Sequence, residues 1–92
     1  MIVRIAGEGQ FQLPDEDRDR LNELDNRAVK AVEQGDEAGF RDLWSQMLEL
    51  VATDGNALEE EELEESDVIL PPRDVTFAEA QADFTGEGLI PD

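Results

Sequence analysis

Alternating apolar and polar residues open the chain, with the period of two that is typical of a β-strand. Two such runs flank Gly7 and Gly9, and a Gly-x-Gly connection between alternating runs favours a β-hairpin. The pattern predicts a hairpin over residues 1–13, which Pro14 ends. The side chains expected to face inward are Val3, Ile5, Phe11 and Leu13, and those expected to face outward are Arg4, Gln10 and Gln12.

From residue 15 the apolar residues recur at spacings of three and four, which predicts a helix to about residue 34. Gly35 is suited to end that helix and Asp36 to cap a second one, which Gly55 ends. Because Gly35 and Asp36 alone separate the helices, we expect an antiparallel α-hairpin over residues 15–54. The two apolar stripes are Leu21, Leu24, Ala28, Ala31 and Val32, then Phe40, Leu43, Trp44, Met47, Leu50 and Val51. Their register makes Trp44 a core residue rather than an interface anchor.

Residues 56–66 lack this periodicity and contain six glutamates. This composition predicts a solvated, mobile acidic loop with room for one short helical turn. The next apolar run, residues 67–70, ends at Pro71 and Pro72. A strand that ends in proline usually lies at a sheet edge, so we expect a third strand beside the hairpin.

Thr76 and Glu79 have the spacing of a capping box, which predicts a short helix from about residue 77 to residue 84. The tail beyond it carries Leu89 and Ile90, which either fold back on the sheet or contact a partner. Together the elements predict one α+β domain over residues 1–92, in which a small three-stranded sheet packs on an antiparallel α-hairpin and a short C-terminal helix follows. The segments are a hairpin at 1–13, the α-hairpin at 15–54, the acidic loop at 56–66, and a strand, helix and tail at 67–92.

The charge balance changes the expected class of partner. There are 25 acidic residues and 7 basic residues, so that the net charge is −18. Such a chain repels nucleic-acid backbones and anionic lipid surfaces, whereas cationic protein surfaces attract it. We therefore expect no direct nucleic-acid binding and no membrane insertion. Neither a signal peptide nor an apolar run of about 18 residues is visible, which favours a cytoplasmic location.

The residue types that most often carry catalysis are missing, because the chain contains no histidine, cysteine or tyrosine. Ser45 and Ser66 have no histidine to activate them. Paired carboxylates need an apolar pocket that separates their pKa values, and a chain of this size has little room for one. We predict a non-catalytic protein without a cofactor.

A divalent-metal site is the strongest chemical alternative. With Asp54 at the first position of an EF-hand loop, Asn56 and Glu65 fall at ligand positions. However, Leu58 occupies another ligand position and Glu59 replaces the glycine that the sharp turn needs. The pattern favours a hydrated loop that associates only weakly with cations.

Five segments carry a resemblance to a known family: MIVRIAGEGQF, LNELDN, GDEAGFRDL, DVILPP and EGLIP. In this order and spacing the chain resembles the PspA-associated protein family, called PspAA, whose members are encoded near phage-shock protein A. The resemblance implies a cytoplasmic adaptor of the envelope stress response. It would bind phage-shock protein A, a coiled-coil protein that assembles on stressed membranes, and tune its assembly. The resemblance carries no catalytic residues.

The candidate partner-binding residues come from the acidic loop, the third strand and the tail. They are Glu59, Glu60, Glu61, Glu62, Glu64, Glu65, Val68, Leu70, Leu89 and Ile90. The edge at residues 67–70 could pair with a partner strand or with a second copy, which would give a homo-oligomer. The alternative function is an acidic nucleic-acid mimic that binds a basic DNA-binding protein.

Overall fold

A computed structural model describes residues 1–62, 64–84 and 89, with the backbone alone for Glu60. Its elements, in chain order, are β1 (Ile2–Ile5), β2 (Gly9–Gln12), a 3-10 turn (Asp15–Asp17), α1 (Arg18–Glu33), α2 (Glu37–Asp54), β3 (Asn56–Ala57), a second 3-10 turn (Glu60–Glu62), β4 (Val68–Leu70) and α3 (Phe77–Asp83). The mixed α+β class is confirmed.

The sheet has four strands in the order β3-β2-β1-β4, so the expectation of three strands was wrong by one. β1 and β2 form the predicted antiparallel hairpin, and β4 runs parallel to β1 at one edge. The additional strand, β3, pairs with Phe11 and Gln12 of β2. Gly55 leaves α2 in an extended conformation and directs the chain along β2. A strand of two residues is too short to produce an alternating pattern, so the sequence carried no signal for it.

The turn between α1 and α2 explains why the helices form a hairpin. Gly35 has a φ of 71°, in the left-handed region that glycine adopts without strain. Its N–H donates to the Val32 carbonyl, and the Asp36 N–H donates to the Ala31 carbonyl, which is the bond pattern of a Schellman motif. The Asp36 carboxylate then accepts from the Gly39 N–H at 3.0 Å and caps α2.

The core lies between the sheet and the α-hairpin. Val3, Ile5 and Leu13 are buried there as expected, while Phe11 is only half-buried. An aromatic cluster closes one side, where Phe84 packs edge-on against Phe40 at 5.1 Å and against Trp44 at 5.8 Å between ring centroids. These contacts hold the end of α3 against α2. Trp44 is therefore a core residue, as its register predicted.

Gln10 differs from the expected pattern. It lies on the outer face of the sheet, as alternation requires, yet its exposed fraction is 4%. Its cover is the segment at residues 64–66, which is distant in sequence. A polar side chain buried in this way needs hydrogen-bond partners, and those partners belong to the candidate site.

Candidate functional site

The acidic segment, residues 59–67, is hydrogen-bonded to the sheet at Glu64, Ser66 and Asp67. The Gln10 amide nitrogen donates to the Glu64 carbonyl and, at 2.8 Å, to the Ser66 hydroxyl. In return, the Glu64 N–H donates to the Gln10 side-chain oxygen at 3.1 Å. Asp67 continues the attachment, because its carboxylate accepts from the Ile2 N–H at 2.7 Å. The expected acidic loop thus contains β3, a 3-10 turn and a part fixed to the outer face of the sheet.

The glutamate side chains of this segment point into solvent. Glu59, Glu61, Glu62, Glu64 and Glu65 are all exposed. Glu62 also accepts a hydrogen bond from the Glu59 N–H at 3.1 Å, which orders the 3-10 turn. These exposed carboxylates belong to one short segment and concentrate negative charge there. Such a concentration of charge suits a cationic protein surface.

The two candidate residues of β4 have buried side chains, since Val68 is 3% exposed and Leu70 is 0% exposed. Their backbone groups face β1, since the Leu70 carbonyl accepts from the Ala6 N–H, so neither residue is open to a partner strand. Ile69 between them is 63% exposed on the opposite face. We did not single out Ile69 from the sequence, although the period of two in a strand implies that it points away from Val68 and Leu70.

The tail returns to the core at Leu89. Its side chain is half-buried against the core, and its N–H donates to the Asp25 carboxylate, at 2.9 Å to Oδ2 and 3.2 Å to Oδ1. Asp25 is fully buried within α1, and its position on an apolar helix face gave no sequence signal of this role. The other candidate of the tail, Ile90, lies outside the described residues.

The carboxyl groups of Glu8, Glu79 and Asp17 have perturbed pKa values. A two-pronged ion pair with Arg73, at 2.9 and 3.0 Å, lowers the pKa of Glu8 and raises that of Arg73. The Thr76 N–H lowers the pKa of Glu79 within the capping box. Partial burial, with the Asp54 carboxyl beside it, raises the pKa of Asp17 where α1 begins and α2 ends. Each shift has a structural cause, and none of these carboxyl groups lies in a cleft beside a base that could act with it.

Among the described residues, no group of three or more acidic side chains is arranged so that it could hold a metal ion. None of the helices in that part of the chain combines the length and the apolar character needed to cross a bilayer.

A family model described as PspA-associated protein matches residues 1–92. The chain belongs to the PspA-associated protein family. No curated protein and no solved structure matches it. Membership confirms the resemblance inferred from the five sequence segments. The description of the family names an association with PspA. The family is not a known enzyme family.

Proposed function

We propose that this PspA-associated protein is a non-catalytic accessory of the phage-shock (envelope-stress) system, acting in the cytoplasm. In this proposal it binds phage-shock protein A, or a related coiled-coil protein that remodels membranes, and tunes its assembly. Family membership supports the choice of partner. The observation that carries the mode of action is the set of exposed glutamates in the acidic segment, whose backbone is hydrogen-bonded to Gln10 of the sheet at Glu64.

The electrostatic argument explains how binding would alter the partner. A protein that docks on anionic lipid does so through basic helical surface. With a net charge of −18, this chain is repelled by the same lipid and attracted to that basic surface. Binding would therefore compete with membrane docking, and both the affinity and the association rate should fall as salt rises.

Binding of purified phage-shock protein A, measured by titration calorimetry at about 50 and 500 mM salt, tests the proposal. The test variant carries Glu61→Gln, Glu62→Gln, Glu64→Gln and Glu65→Gln. Its matched control removes the same number of charges from exposed positions outside the acidic segment, through Glu16→Gln, Asp19→Asn, Glu23→Gln and Glu33→Gln.

We expect a complex at low salt that the test variant weakens about tenfold and the control less than threefold. Failure to detect a complex at low salt would refute the proposal. A vesicle sedimentation assay then asks whether the domain displaces phage-shock protein A from anionic lipid, as the mechanism requires.

The nucleic-acid mimic stays a second candidate, because the acidic segment is attached to the sheet at Glu64 and Asp67. A mimic needs negative charges along a rigid face to occupy a basic DNA-binding groove. Displacement of DNA from a basic DNA-binding protein at about physiological salt would favour this function. Tight binding to phage-shock protein A without any effect on DNA binding would reject it.

A further inference from the structure

Among the described residues no strand pairs with the outer side of β4, and this open edge has an unusual combination of features. Ile69 is the large apolar side chain that stands out as exposed in the described part of the chain. The Ala6 N–H donates to the Leu70 carbonyl at 3.0 Å, and Ile69 lies opposite Arg4 in the parallel ladder. Because successive residues of a strand direct their backbone groups to opposite sides, the N–H and C=O of Ile69 face the open edge.

A notch of about 240 Å³ adjoins this edge. Its walls are apolar apart from one exposed carboxylate, Asp83, at the end of α3. The apolar lining residues are Ala6, Ile69, Leu70, Pro71, Pro72 and Leu89. A lysine or arginine side chain matches this combination, since its hydrocarbon stem can lie on apolar surface while its charged end reaches an acid at the rim.

We propose that a basic, extended segment of the partner adds to the open edge of β4, with an apolar side chain on Ile69 and a lysine or arginine in the notch beside Asp83. This inference rests on the function proposed above and assigns its contact surface. β4 has only three residues, so backbone pairing at Ile69 contributes few hydrogen bonds. The side-chain contacts must supply the rest of the affinity.

Charge decides between this occupant and a second copy of the chain. Each copy carries a net charge of −18, so edge-to-edge pairing brings two strongly negative molecules together. The exposed carboxylate of Asp83 also lies at this edge, in the wall of the notch. Both facts oppose self-pairing and favour a cationic segment.

Amide hydrogen exchange, followed by NMR with and without phage-shock protein A, tests the position of the edge. The Ile69 N–H should exchange at least about tenfold more slowly in the complex, because strand addition gives it an acceptor. The Ala6 N–H already donates to Leu70 and should change less than about threefold.

Two variants test the side-chain contacts. We expect Ile69→Thr, which keeps a β-branched residue at the edge, and Asp83→Asn each to raise Kd about fivefold. The matched control is Asp42→Asn, which removes one exposed charge from α2 while asparagine retains an acceptor for Gln46. It should change Kd less than about twofold.

The outcomes separate the two proposals. A complex that leaves Ile69 exchange and both variants unchanged overturns the edge assignment while the proposed function stands. Equal effects of Asp83→Asn and Asp42→Asn overturn the notch assignment, because the attraction is then general. Ile69 protection that grows with protein concentration without the partner assigns the edge to a second copy and overturns this inference. Absence of any complex at low salt refutes the proposed function itself.

Discussion

Gln10 offers a direct way to release the acidic segment without touching its glutamates. The substitution Gln10→Ala removes three hydrogen bonds, two to Glu64 and one to Ser66. A typical intramolecular hydrogen bond contributes about 0.5–1.5 kcal/mol net. Water can replace part of that loss at the partly buried segment, so we expect its opening free energy to fall by about 2 kcal/mol.

That change predicts a measurable acceleration of amide exchange at Glu64. A loss of about 2 kcal/mol in opening free energy corresponds to about thirtyfold faster exchange. The Leu58 N–H is an internal reference, because it donates to the Gln10 backbone carbonyl, which alanine retains. Its exchange should change less than about threefold. NMR exchange on the wild type and the variant supplies both rates.

Gln12 provides a matched control on the same strand and the same face. It is exposed, whereas Gln10 is buried, so Gln12→Ala should leave Glu64 exchange within about twofold of the wild type. If Gln10→Ala accelerates Glu64 exchange less than threefold, or if both variants accelerate it equally, the Gln10 bonds do not hold the segment. The attachment described for the candidate site would then be wrong.

Four further substitutions test the packing, the helix cap and the charge pattern. Phe84→Ala should lower the free energy of unfolding by about 3–5 kcal/mol, as measured by guanidinium unfolding followed by Trp44 fluorescence. A loss below about 1 kcal/mol would contradict the role of the aromatic cluster. Thr76→Ala should lower the free energy of unfolding by about 1 kcal/mol, because it removes the side-chain cap of α3. The fold lowers the pKa of Glu79 from its ordinary value of 4.5. The stabilisation that the ionised Glu79 contributes is therefore present above pH 4.5 and is lost as the pH falls through the lowered pKa. Between about pH 5 and pH 3 the wild type should lose more stability than Glu79→Gln. Asp54→Asn should raise the free energy of unfolding by about 0.3–1 kcal/mol at pH 7, because it removes a negative charge from the C-terminal end of α2. Burial and the Asp54 carboxyl together raise the pKa of Asp17, so the substitution should lower that pKa by removing the second cause. Because the Asp54 carboxyl destabilises only the charged form of Asp17, this part of the gain should disappear in acid. An unchanged NMR titration of Asp17 would contradict the contact.

Local patterns predicted the parts of the fold that local interactions determine. The apolar period identified both long helices, and Gly35 with Asp36 identified the turn between them, because helix ends depend on a few neighbouring residues. The capping box located the start of α3 in the same way. The edge position of β4 followed from Pro71, which cannot continue a ladder.

The features that were missed depend on contacts between distant residues. Gln10 has the polar character of an exposed strand position, and its burial comes from residues 54 and 56 positions later. Asp25 is bonded to Leu89, which is 64 positions away. Neither partner leaves a mark on the neighbouring sequence, so no local pattern could identify the pair. Ile69 is different, since alternation alone would have separated it from Val68 and Leu70.

The parallel pairing of β1 with β4 has a consequence for the order of folding. Val3 pairs with Val68, so β1 gains this neighbour only after the α-hairpin and the acidic segment between the two strands have been synthesised. The β-hairpin and the α-hairpin can form early from nearby residues, whereas closing this long loop is slow. Until β4 arrives, one side of β1 offers unpaired backbone groups to other nascent chains, and aggregation during synthesis should be most sensitive to changes in β4.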